Sequence, residues 1–318
     1  MPRPSPRLPV ALLTFTAACS AGSEEEVLRF AWPDTGSLPV EVVRIQDGQR
    51  TRARFTLEWK RRGDLWEIER RDLQVLEMER PLEEGTPPAE AQTPGLYREL
   101  DLHGLTFPRL LVDGEGVLRD SAAWEEGVDR FTAELGAAGM TAERIADIRG
   151  ALLEPAVRAS ALQTILGEWQ LWVTSWTDYP LRPGWEEEAE LAVETGIPGV
   201  VLPTTVHVRC EELREEDGRR LVRFTREIRY DEEALTLLVQ GHPDLLGARN
   251  LDPDRLLAVR RTDRSEALVE AGTLLPVEAR TRTLFEVLMD AADQSRQEVS
   301  EAVFRFGGPG TTDGAGGR

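Results

Sequence analysis

Few residues in this chain have the type and spacing for chemistry. Its three histidines, His103, His207 and His242, lie too far apart for a local metal pair, and none has a second histidine two to four positions on. His207 and Cys210 are three apart, but in an extended run they face opposite ways with no further ligand nearby, so a zinc signature is missing. There is no Gly-x-Ser-x-Gly and no phosphate-cradling glycine loop before a helix. The glutamate runs at 24–26, 83–84 and 186–188 read as solvated faces rather than calcium ligands. Accidental carboxylate pairs abound among 57 acidic residues, and none stands out as a hydrolytic pair. Cys210 alternates with Val206 and Val208, while Thr205, His207, Arg209 and Glu211 take the opposite face. With no basic neighbour on its own face, it reads as a buried core thiol rather than a nucleophile. No metal or cofactor is expected.

The tryptophans are the one candidate site. Trp169, Trp172 and Trp176 have helical spacing, and Trp185 opens the strand that follows, so the four converge where helix meets sheet. One reading is core packing, which large aromatics dominate. The sharper reading is an apolar cleft that holds an acyl chain or another hydrophobic ligand.

Those residues belong to, or follow, a stretch at 120–180 with helical period. Trp124, Val128, Phe131, Leu135, then Ile145, Ile148, Leu152, then Leu162, Ile165, Leu166 and Trp169 recur at steps of three and four, which predicts helices facing a common core. Asp120 is the expected first N-cap, Gly136 and Gly139 end the first helix, Thr141 caps the second and Pro155 opens the third. A β-patterned region lies on each side. Asp47-Gly48, Arg62-Gly63-Asp64, Asp113-Gly114 and Asp217-Gly218 join successive strands as hairpins. Ala53, Phe55, Leu57 and Trp59 alternate with charged residues, giving one packed face and one wet face. In the second region Val222, Phe224, Ile228 and Tyr230 share a face. Residues 235–239 and 256–259 fit helix or strand, while 81–94 reads as a surface loop. The expected fold is α+β: a long twisted antiparallel sheet, built from two β-meanders, packed on a central helical block.

The start of the chain carries an address. Arg3 and Arg7, a short apolar run and small residues lead to Cys19 in the order of a secretory signal peptide, too short to span a bilayer, which takes about 20 residues. Thr16-Ala17-Ala18-Cys19 resembles the lipobox of bacterial lipoproteins. That resemblance implies cleavage before Cys19, diacylglycerol on its sulfur and an acylated amino group, with Ser20 pointing to the outer membrane. The domain is then expected to face the periplasm or the cell exterior. Cleavage would leave 36 basic and 57 acidic residues, a net charge of −21, which repels phosphate backbones and disfavours nucleic acid as a partner. Lys60 is the only lysine among the 38 basic residues. The expected organisation is a signal peptide (1–18), lipidated Cys19 with a polar tether (19–26), one β-rich domain (27–306) and a disordered tail (307–318). Within the domain the first meander is 27–119, the helices 120–180 and the second meander 181–306.

Three further motifs join the leader. They are Val112-Asp113-Gly114-Glu115-Gly116-Val117, Tyr179-Pro180-Leu181-Arg182-Pro183-Gly184-Trp185, and Gly272-Thr273-Leu274-Leu275-Pro276-Val277. Together they resemble a family of bacterial secreted and lipid-anchored proteins known as a domain of unknown function. The last is also similar to a turn in periplasmic lipoprotein carriers with large antiparallel sheets. The resemblance implies a fold and a compartment and carries over no catalytic residue. The functional expectation is a non-enzymatic, membrane-anchored envelope lipoprotein that is a scaffold or binds a hydrophobic ligand or an envelope protein. The alternative is an envelope hydrolase with an unrecognised carboxylate site.

Overall fold

The computed structural model describes residues 26–46, 48–79, 109–122, 124–137, 139–194, 200–242, 253–290 and 295–307. The expected signal peptide, Cys19, the expected tether up to residue 25, the expected loop at 81–94, His103 and the expected tail from residue 308 lie outside the described residues. The turns marked by the sequence deliver strands β1 (Thr35–Gln46), β2 (Gln49–Arg62), β3 (Leu65–Glu79), β4 (Arg109–Val112) and β5 (Leu118–Ala122). After the helices come β6 (Glu186–Glu194), β7 (Val201–Glu216), β8 (Arg219–Tyr230), β9 (Leu256–Glu270), β10 (Pro276–Met289) and β11 (Arg296–Phe306). At the β7–β8 turn, Asp217 and Gly218 both have positive φ, 52° and 73°, as a type I′ hairpin requires.

All strand pairs are antiparallel, and the order is β5-β4-β3-β2-β1-β11-β10-β9-β8-β7-β6. The two meanders are therefore halves of one sheet. Their seam is the pairing of the first strand with the last, from Val40 opposite Phe306 to Ile45 opposite Glu301. This extends the two-meander expectation, because the seam joins segments more than 250 positions apart and leaves no local trace.

The helices depart from the expected central block. Helices α1 (Trp124–Ala137) and α2 (Ala142–Leu153) close a small core of their own, in which Trp124, Val128, Phe131, Leu135, Ile148 and Leu152 are buried. Among the described side chains, those that enter the sheet core come from the end of α3 (Pro155–Trp172) and from the 3-10 turn Thr174–Trp176 and its flanks. Three helices cannot all lie on one sheet face when short turns at Gly139 and Glu154 fold them on each other instead. Thr141 does cap α2, its hydroxyl accepting from Arg144 N at 3.5 Å, and Pro155 opens α3. Asp120 is not an N-cap: it sits in β5 opposite Leu111, and α1 starts at Trp124.

The segment with no decided period at 235–239 lies in α4 (Glu232–Gly241), capped by Asp231, which accepts from Ala234 N at 2.7 Å. Residues 256–259 open β9, where β10 supplies the ladder partners. Pro203 lies within β7, opposite Ala192 of β6.

One face of the sheet carries the core and the other is wet. On the inner face Ala53, Phe55, Leu57 and Trp59 are buried, as their alternation predicts. The outer face is a lattice of cross-strand ion pairs. Glu41 holds Arg52 at 3.0 Å and Arg54 at 3.4 Å, Glu58 holds Arg71 at 2.9 Å, and Glu227 holds Arg264 at 3.3 Å. Each such exposed pair contributes little stability. Their common effect is to favour one register, because opposite charges face each other and a slip would bring like charges together.

Candidate functional site

The tryptophans occupy the inner face as filling. Trp169, Trp172 and Trp176 are each 0% exposed. Trp172 lies between Phe304 and Phe306, with ring centroids at 5.3 and 5.5 Å, and Trp176 stacks on Phe224 at 6.1 Å. Trp169 packs on Phe30 and Trp32 and donates its indole N–H to Gly116 O at 2.9 Å. Trp185 is half-buried and lies against Tyr179 at 5.2 Å. The four thus meet one core, but the three helix-borne rings present no surface to a ligand.

Further along the strands the character of the inner face changes. Paired strands set their inward residues in rows, and neighbouring rows are two residues, roughly 7 Å, apart. One row reads Cys210, Phe224, Ala267, Ala279, Phe304, Val42, Ala53, all apolar and buried. The next reads Val208, Arg226, Ser265, Thr281, Ala302, Arg44, Thr51. The row after it contains Ile228, Asp263, Thr283 and Ser300. Arg261, Phe285 and Glu298 follow. Beyond them a second apolar cluster forms under α4, with Leu202, Leu235, Leu238, Val239, Leu256, Val259, Val287 and Met289. A polar strip therefore crosses the inner face between two apolar clusters, and most of its side chains are half-buried.

Four arginines point inward at or beside this strip, each against an aromatic ring: Arg70 on Phe55 (4.4 Å), Arg44 on Phe304 (5.7 Å), Arg226 on Trp176 (5.9 Å) and Arg261 on Tyr230 (4.9 Å). A planar guanidinium suits such a boundary, since it stacks on a ring while its edge stays polar. Glu168 of α3 ion-pairs with both Arg44 and Arg70, tying the helix to β1 and β3. Asp263 accepts from Arg261 Nη2 (2.8 Å), Tyr230 OH (3.1 Å) and Thr283 Oγ1 (2.7 Å). Arg226 differs: its Nη1 donates to Ser175 Oγ at 2.7 Å, and it forms no ion pair among the described residues. Burial lowers its pKa below the ordinary arginine range, against the opposing pull of Tyr179, Asp263 and Tyr230. Burial also pushes the phenol of Tyr179 up to about 12, so it stays protonated.

Compared with known proteins, the chain matches no family model and no curated protein.

The strip offers guanidinium N–H groups and hydroxyls as hydrogen-bond donors, and aromatic rings on which a planar group can stack. Three carboxylates lie on or beside it among the described residues: Asp263 and Glu168 are engaged by the donors named above, and Glu298 pairs with Arg296 at 3.5 Å. Cys210 is buried, and that burial raises its thiol pKa, away from a nucleophile's range. His207 lies 3.7 Å from Glu186 near the sheet edge, and His242 follows α4. Among the described residues no three His, Cys, Asp or Glu side chains are grouped to hold a metal, and no helix is long and apolar enough to cross a membrane. The strip carried one sequence signal. Val222, Phe224, Ile228 and Tyr230 share a face, and the position that their alternation skips is Arg226, a charge at an inward site.

Proposed function

We propose that this chain is a non-enzymatic envelope lipoprotein, attached to a membrane through acylated Cys19, whose inner sheet face binds a hydrophobic partner bearing a polar group. The observation that carries the reading is the strip itself. A sheet face meant only to be buried would be apolar throughout, because each buried unpaired polar group costs on the order of 1–3 kcal/mol. Here a strip rich in guanidinium groups separates two apolar clusters in a chain of net charge −19. Apolar walls with a few convergent polar groups are the usual make-up of a small-molecule site. The leader supports the compartment: positive start, short apolar run, small residues, cysteine, polar tether. The outer membrane, with the domain facing the periplasm or the exterior, is the proposed location.

The test is recovery of the protein from detergent-solubilised envelopes, with mass spectrometry of what accompanies it. A lipid or other amphiphile at near one-to-one ratio, lost when Thr283→Leu and Ser300→Leu fill the middle of the strip with bulkier apolar side chains, is the expected result. An empty protein whose only lipid is covalent would contradict the reading.

A further inference from the structure

Among the inward arginines Arg226 stands apart. Arg44 and Arg70 share Glu168, and Arg261 has Asp263. Among the described residues Arg226 has only a serine hydroxyl, and its Nε is buried with no hydrogen-bond partner there. A hydroxyl accepts a hydrogen bond but supplies no charge, and an arginine stays protonated in proteins. Tyr179 and Tyr230, the nearby phenols, are both held in the neutral form by burial and supply none either. Asp263 sits one row away, already engaged by Arg261, Tyr230 and Thr283. A half-buried cation without a paired counter-charge among the described residues is costly unless something else provides one. Next to it lie the ring of Trp176 and, across the strip, Tyr230 and Phe285, which pack against the cluster under α4.

We infer that Arg226 receives the anionic head, a carboxylate or a phosphate monoester, of an amphipathic ligand whose apolar body lies along Tyr230 and Phe285 toward the cluster under α4. This rests on the reading of the inner face as a binding surface, and gives that surface a ligand class. A guanidinium edge matches either head through paired N–H donors, and the hydroxyls of Ser175 and, on the neighbouring strand, Ser265 flank it.

The experiment is calorimetric titration of the full chain carrying Cys19→Ala, so that no acyl group of its own competes. The probes are dodecanoate, dodecyl phosphate and dodecanol, all below micelle-forming concentrations. At least one anion should bind ten times or more as tightly as dodecanol, about 1.4 kcal/mol, and the tighter of the two identifies the head. Arg226→Gln should reduce the anions to the affinity of dodecanol and leave dodecanol unchanged, while Arg261→Gln keeps a preference for the anion. Without ligand, Arg226→Gln should unfold at the same or higher denaturant, since it removes an uncompensated charge. Equal binding of all three probes, with Arg226→Gln altering none, overturns the inference but keeps the inner face as a binding surface. No binding by any probe sinks both. Loss of folding in Arg226→Gln would show the guanidinium to be structural and likewise overturns the inference.

Discussion

Gly36 in β1 lies opposite Trp59 of β2, and a Cβ built there would come 2.2 Å from the indole ring. The glycine lets the ring lie flat on the backbone of the neighbouring strand, with its N–H donated to Pro33 O at 3.0 Å. Gly36→Ala should cost about 1–3 kcal/mol, as overpacking does. A lower urea midpoint at unchanged slope is the expected reading; an unchanged midpoint would mean that the ring moves aside freely. Cys210 makes a second prediction at this scale. It is fully buried beside Phe224, and desolvation raises its pKa. In a chain with Cys19→Ala, a thiol reagent should therefore react at the rate of unfolding rather than at that of a free thiol. Fast labelling of the native protein would show an opening at this row.

Helix α3 is held on the sheet by packing and by one carboxylate. Glu168 lies between Arg44 and Arg70, and the Arg70 side chain is only 4% exposed. Removing the charge with Glu168→Gln should cost roughly 2 kcal/mol. That is less than the loss of a fully buried pair, because Arg44 remains a third exposed and screened by water. Hydrogen exchange should quicken most at the end of α3, and Arg70→Met on top of Glu168→Gln should recover part of the loss. The β4–β5 turn depends on a carboxylate as well. Burial opposes ionisation of Asp113, but bonds from Val117 N, Glu115 N and Arg119 outweigh it and hold its pKa below 3.8. A depressed folded pKa adds stability above the unfolded value that is lost as pH falls through the folded one. Asp113→Ala should thus cost about 1 kcal/mol at neutral pH, roughly the worth of a hydrogen bond. The difference should vanish well below the ordinary carboxyl value of 3.8; a difference independent of pH would refute the carboxylate's role.

At the scale of the molecule, the β1–β11 seam should make the two halves of the sheet unfold as one cooperative unit. Phe304 and Phe306 of the last strand pack on Trp172, so the C-terminal strand completes the core that the first meander and α3 begin. Deleting residues 296–318 should abolish cooperative unfolding by circular dichroism, not merely lower the midpoint. A truncated chain that still unfolds in one transition would mean that the halves fold independently. Closure between chain ends also implies slow folding, since so long a loop must close before its contacts form. The proposed membrane anchor is tested at this scale too. Cys19→Ala should block uptake of a palmitate analogue and release the protein from membranes without altering its unfolding curve. A variant that still partitions into membranes, beside a wild type that takes up no label, would reject the anchor.

The sequence by itself determined what local geometry controls. Period two in 53–59, positive-φ turns such as Asp217-Gly218, the Thr141 cap and Pro155 at a helix start depend on residues within a few positions of one another, and the structure has them. The burial of Cys210 and of the helical tryptophans follows from the same patterns. Tertiary structure alone decided three things. One is which strand edges meet, because backbone edges are chemically alike and the β1–β11 choice is made by distant side chains such as Phe304 and Phe306. Another is the division of helices between two cores: amphipathic stripes say that a face is buried, not against what. The last is the polar strip, since Arg226, Asp263, Thr283 and Arg44 lie on four strands and form one surface only once register aligns them. A charge at an inward position is visible in sequence as a skipped beat; its neighbours across the sheet are not.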